Sequence, residues 1–194
     1  MKIALLQMNT VVGDLHGNAD LILETVTEAA HFQPDLILTP ELSLTGCPLR
    51  DTICEKGFIE KSLAVLDSLA ADLKGSPPTI VGLAMQNHSS TGKPFLNAAT
   101  LLEGGKVQKV IEKIHLSNHS APIDEDHYFE PAVTTSRLLL LKGKKVGVSI
   151  GEEIWCEGQS AGDLVRAGAE VIVNISASPF AVGKQSLREK SLSR

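Results

Sequence analysis

With 194 residues, 43% hydrophobic and 21% charged, the chain can bury roughly 70% of its unfolded surface, and its apolar content excludes disorder. Eighteen Lys+Arg against 23 Asp+Glu give a net charge of −5, which leaves no basic excess to make nucleic acid a main partner. The longest apolar runs, such as Ile3 to Leu6, fall far short of the ~20 residues of a membrane span, and no charged-then-apolar signal segment is expected.

The elements follow in order. Lys2 to Gln7 reads as a short strand. A helix is expected from about Asn18, a good N-cap type, with Leu21, Ile22, Thr25, Val26, Ala29 and Ala30 on one face and Pro34 closing it. Leu36–Leu38 reads as a buried strand ending at Thr39-Pro40-Glu41. A second helix is expected over Phe58–Leu73, stopped by Gly75-Ser76-Pro77-Pro78, and a strand over Thr79–Met85. Two hairpins follow, Asn97–Leu102 with Val107–Ile111 about Gly104-Gly105, and Arg137–Leu141 with Val146–Ile150 through Gly143-Lys144. A short helix near Ala161–Ala167 feeds a strand over Val171–Ile175, and Lys184–Arg188 reads as helical. Helices and strands alternate at both ends with hairpins between. The expected class is therefore α/β, with a mixed sheet or a pair of sheets covered by helices, in one domain over 1–194.

Several motifs fail on inspection. Gly147-Val148-Ser149-Ile150-Gly151 matches the G-x-S-x-G elbow of α/β-hydrolases, but all six histidines precede Ser149, so the base that should follow it is missing. His115 and His119 have i,i+4 spacing without the glutamate of H-E-x-x-H, and Pro122 makes a helix there doubtful, so both are expected on a loop. Gly92-Lys93 lacks the first glycine and the Ser/Thr of a phosphate-binding loop. Asp124-Glu125-Asp126 could hold a cation, though a solvated loop is the commoner reading. No metal and no cofactor are expected. The cysteines Cys47, Cys54 and Cys156 form neither an even set nor a close pair, which fits a reducing cytosol and a cytoplasmic protein.

What remains is a set of charged residues at strand ends: Glu41, Lys113, and the pair Glu152 and Glu153. A carboxylate base, a lysine to hold developing negative charge and a nucleophile between them would suffice for acyl transfer from an amide. Taken singly, Glu41 could merely cap the loop after Pro40 and Lys113 could pair at the surface.

The residues also carry a family resemblance. K-I-A-L-L-Q-M-N with V-G-D and Asn18, P-E-L-S-L-T-G-C-P at 40–48, Lys113 followed by I-D-E-D-H-Y-F-E-P at 123–131, V-G-V-S-I-G-E-E-I-W at 146–155, and N-I-S-A-S-P-F with Gly183-Lys184 at 174–184 stand in one order. Together they resemble the nitrilase, or carbon–nitrogen hydrolase, superfamily, and most of all the N-terminal glutaminase domains of glutamine-dependent NAD synthetases. The resemblance implies an α-β-β-α sandwich and hydrolysis of L-glutamine to glutamate and ammonia in support of NAD synthesis. It places Glu41 on the general base, Lys113 on the residue that stabilises the tetrahedral intermediate and Glu125 on a supporting carboxylate. Glu152, Ser178 and Lys184 fall on substrate-binding positions. His119 stands where the synthetases usually have a tyrosine at the substrate mouth.

The family reads I-C-E-D-x-W where this chain reads Ile150-Gly151-Glu152-Glu153-Ile154-Trp155, so Gly151 takes the place of the nucleophile. Glycine cannot attack a carbonyl, and an inactive chain is expected. Cys47 and Cys156 read as structural, and Cys54 has no catalytic context. The family's later strands and the synthetase domain are expected to be absent. A homodimer or higher oligomer is expected, as is a synthetase domain as a possible partner. The alternatives are a non-catalytic module that binds an amide or amino acid or acts as a scaffold, and an amidase for another small amide.

Overall fold

A computed structural model describes residues 1–116, 125–133, 136–155 and 160–192. Strands β1 (Ile3–Leu5), β2 (Leu36–Leu38), β3 (Thr79–Gln86), β4 (Phe95–Glu103) and β5 (Lys106–Glu112) form one sheet in that order. The first three run parallel, and the last two return antiparallel through the Gly104-Gly105 turn. A second sheet holds β6 (Leu138–Leu141), β7 (Lys144–Ile150) and β8 (Val171–Ile175), with β6–β7 antiparallel and β7–β8 parallel.

Side-chain alternation assigns each strand two faces. Leu36, Leu38, Ile80, Ala99, Leu101 and Ile111 of the first sheet meet Val146, Val148, Ile150, Val173 and Ile175 of the second. The intervening residues Ile37, Val81, Leu83 and Leu102 face the other way. They pack beneath helices α1 (Leu15–Ala30) and α2 (Phe58–Asp72), whose buried stripes include Ile22, Val26, Leu66 and Leu69. Helices α3 (Glu125–Tyr128), α4 (Ser160–Arg166) and α5 (Lys184–Leu192) complete the described elements, and α4 packs on β7. The layers are those of a nitrilase-type α-β-β-α sandwich. The choice left open by the sequence, one mixed sheet or two, is resolved as two.

One expectation is corrected. α1 begins at Leu15 and is capped by Asp14, whose side chain accepts from the Gly17 amide at 3.0 Å. Asn18 lies inside the helix. Its carboxamide accepts from Val11 N and donates to the carbonyls of Val11 and Leu44, at 2.8, 2.8 and 3.1 Å. A residue type that suits caps here clamps the segment after β1 to the loop after β2. Among the described residues no helix is long and apolar enough to cross a membrane.

Candidate active site

The C-terminal ends of β2, β5, β7 and β8 converge at one end of the sandwich, with the start of antiparallel β4 beside them. Ends of strands in a rigid sheet aim loop residues at a common point. Glu41 sits in the turn after β2. That turn lies against β3 because Gly82 has no side chain: a Cβ there would stand 2.5 Å from Leu42 N and 2.9 Å from Glu41 Cα. Lys113 directly follows β5, in phase with Ile111, so it points between the sheets. Its amide donates to the Asn97 carbonyl at 2.9 Å and its carbonyl accepts from Ala132 N at 2.9 Å. Glu125 opens α3.

These three charges meet in the interior. Lys113 Nζ donates to Glu41 Oε1 at 2.8 Å and to both oxygens of Glu125 at 2.7 Å, with side-chain exposures of 2%, 7% and 3% for Lys113, Glu41 and Glu125. Glu41 Oε2 accepts from the Ala177 amide at 3.0 Å, just past β8. Burial alone would favour the neutral lysine, but the adjacent Glu41 and Glu125 carboxylates more than reverse that, holding Lys113 above the ordinary lysine range. Lys113 is therefore a permanent cation and no amine nucleophile.

Gly151 opens the 3₁₀ turn that follows β7, at φ +62°, a conformation that suits glycine. A Cβ built on it would lie 2.5 Å from Lys113 Nζ and 2.6 Å from Glu41 Oε1. The side-chain direction at position 151 thus runs straight into the carboxylate–ammonium pair. Asn174 Nδ2 donates to the Gly151 carbonyl at 3.2 Å and steadies the turn.

The next two residues diverge. Glu152 Oε1 accepts from Ser178 Oγ at 2.6 Å and from Lys184 Nζ at 2.7 Å, and Lys184 also donates to Ser178 Oγ. This half-buried triangle adjoins Gly151 in sequence. Glu153 is fully buried. Its Oε1 accepts from Ile114 N and His115 N at 2.6 and 3.1 Å, and its Oε2 from Ile150 N and Arg137 Nη1 at 2.9 and 3.2 Å. One carboxylate thereby ties the backbone after Lys113 to the backbone before Gly151.

The structure brings Glu41, Lys113, Glu125 and Gly151 to one point and Glu152, Ser178 and Lys184 to another beside it. The surface and loop-cap readings of Lys113 and Glu41 do not hold, and Glu125 is no solvated loop residue. His119 and Cys156 lie outside the described residues. His115 is on a loop, as expected. Ser149 is buried, with its hydroxyl 3.5 Å from Glu153 Oε2, so it has no exposed elbow. Among the described residues no group of three or more His, Cys, Asp or Glu side chains is placed to hold a metal ion.

Asn97 and Arg137 received no role from the sequence. Asn97 Nδ2 donates to Glu41 Oε1 at 2.9 Å and Glu125 Oε1 at 2.8 Å. The available signal was its phase: Asn97 alternates with Ala99 and Leu101 toward the inter-sheet core, where a polar side chain needs a reason.

An open cavity of about 660 Å³ reaches Glu41, with Met8, Pro40, Cys47, Asn174 and Ala177 in its wall. Burial, then the Glu41 and Glu125 carboxylates, push the Cys47 thiol up to about 12 against the opposing pull of Lys113. The thiol is neutral at physiological pH. In limited alkylation at pH 8, read by peptide mass mapping, exposed Cys54 should be labelled while Cys47 stays unmodified. Equal labelling would contradict the placement of Cys47.

A family model for carbon–nitrogen hydrolases matches residues 2–193, and the chain belongs to that family. It is 33% identical over 98% of its length to a glutamine-dependent NAD(+) synthetase of Synechocystis sp., and 32% identical over its whole length to that of Thermotoga maritima. It spans 36% and 33% of those relatives, about a third of their length. Among solved structures, the glutamine-dependent NAD+ synthetase of Acinetobacter baumannii superposes with a TM-score of 0.82 at 27% identity, over 99% of this chain and 35% of that one. A nitrilase-superfamily amidase from Nesterenkonia AN1 shares the fold, with a TM-score of 0.76 at 23% identity over 99% of this chain and 70% of that one.

Proposed function

We propose that this chain is an amidase domain of the glutaminase type that keeps its amide pocket and charge relay but lacks the nucleophile. In this reading Glu41 is the proton acceptor, Lys113 the cation for a tetrahedral oxyanion, and Glu125 the carboxylate that orients Lys113. Glu152, Ser178 and Lys184 hold the polar end of the substrate. The observation that carries the reading is the aim of position 151: a thiol there would stand between its base and its oxyanion cation. With cysteine, Glu41 would take the thiol proton, sulfur would attack the amide carbon and Lys113 would hold the oxyanion. Ammonia would leave and water would release the acid. With glycine the pocket would bind the amide and stop there.

The likeness to glutamine-dependent NAD synthetases supports L-glutamine as ligand, and a cytoplasmic synthetase domain as the consumer of ammonia in active relatives. Isothermal titration with L-glutamine should give saturable heat and a raised melting temperature, with no ammonia formed. Absence of binding to L-glutamine and to a panel of small amides would overturn the reading. Binding of another amide in preference to glutamine would move the substrate and keep the class.

A further inference from the structure

Hydrogen bonds from three described residues reach the buried carboxylates of the site. They come from Lys113, from the Ala177 amide and from a neutral side chain, Asn97. Two carboxylates share the Lys113 ammonium at exposures of 2 to 7%, so two like charges stand side by side in the interior. Like charges in one buried site drive one of the pair to take a proton unless donors stabilise both. Asn97 supplies two neutral donor contacts, and it places them on Oε1 of Glu41 and Oε1 of Glu125, the atoms that Lys113 also bridges.

The orientation of the amide is set by those acceptors, since turning it over would point Oδ1 at two carboxylate oxygens. The consequence is visible on its other side. Asn97 is 1% exposed, and its Oδ1 has no hydrogen-bond partner among the described residues. A residue kept only to fill this space would leave no buried acceptor unpaired. The backbone supports the same placement, because the Asn97 carbonyl holds the Lys113 amide and β4 register sets Asn97 opposite Ala84.

We propose that Asn97 is a positioning residue: its amide locks Glu41 and Glu125 side by side on Lys113 and, by donating to both, favours the charged form of the carboxylate that faces position 151. The inference deepens the amidase reading and rests on it for the role of Glu41 as a base. The bridging geometry is a property of the protein as it stands. The groups facing Glu41 are Lys113 after β5, Glu125 on α3, Asn97 on β4, the Ala177 amide after β8, and the neutral Cys47 thiol in the cavity wall.

The test is the protonation of the glutamate side chains, followed by carboxyl carbon NMR from pH 4 to 9 in the Gly151 protein and in Asn97→Leu. The parent supplies the reference titration of both carboxylates. In Asn97→Leu one of the two should hold its proton toward neutral pH, with proton affinity raised roughly tenfold for each lost bond. Asn97→Ser, which keeps one hydroxyl donor, should show a smaller rise and serves where leucine prevents folding. In a Gly151→Cys background, Asn97→Ser should move the acid limb of the kcat/KM profile upward and leave KM for glutamine unchanged. Folded variants with unchanged glutamate titration would reduce Asn97 to a structural residue and overturn the proposal. Failure of glutamine binding would instead strike the amidase reading and leave the titration result standing.

Discussion

Gly151→Cys should convert the chain from no measurable ammonia release to steady turnover of L-glutamine. Loss of the nucleophile in other covalent hydrolases costs about a millionfold in kcat, so restoring it should raise the rate by several orders of magnitude above background. The geometry also sets a penalty. Residue 151 has φ +62°, and a non-glycine residue held there strains the backbone by about 1–3 kcal/mol. Its Cβ would stand 2.5 Å from Lys113 Nζ, so the ammonium and the Glu41 carboxylate must retreat to make room. Both are ends of flexible side chains, which makes retreat feasible, and it frees a Lys113 donor now spent on a carboxylate. Gly151→Ala should therefore show the same loss of stability in denaturant unfolding with no ammonia release. Activity in Gly151→Cys that disappears on Glu41→Gln would establish the chemistry. A folded Gly151→Cys protein inert toward glutamine and other amides would show that more than the nucleophile is missing.

The main elements were legible because they rest on local pattern, while the layering of two sheets came only from the family resemblance. The nearly continuous buried runs of β2, β3 and β4, the apolar stripe of α2 and the Gly104-Gly105 turn each state one local rule, and the fold satisfies them together. Glu41 and Lys113 were legible as strand-end residues, though only the family blocks joined them to each other and picked out Gly151, more than a hundred positions from Glu41. Asn18 misled because its side chain bonds backbone from inside a helix as readily as from its cap. Arg137 stayed silent, and Glu153 read only as a strand-end charge, for a different reason. A carboxylate that gathers the amides of Ile114, His115 and Ile150 does so through chain crossings that no spacing along the sequence records. Asn97 lay between these cases. Its phase on β4 placed it in the core, but the two carboxylates that give it a purpose come from other elements.

Lys113→Met should be the most destabilising single change in the site, because it leaves Glu41 and Glu125 buried with no cation. Breaking a buried ion pair by removing one partner costs about 3–5 kcal/mol, far more than the pair contributes net over an apolar substitute. The loss should depend on pH with a defined sign. In the parent, Lys113 is held above the ordinary lysine range, so its contribution is intact below the unfolded value of about 10.4. It fades only as pH rises through the still higher folded value. In the variant, the orphaned carboxylates gain proton affinity in the folded state. Stability should therefore be greatest on the acid side and fall as pH rises from about 4 through neutrality. Urea unfolding of parent and variant at pH 5 and pH 8 reads this directly, and the gap between them should widen at pH 8. Adding Glu125→Gln to Lys113→Met removes one of the two unpaired charges and should recover part of the loss at pH 8 and less at pH 5. A gap independent of pH would mean that Lys113 serves by packing its methylenes rather than by holding two carboxylates together.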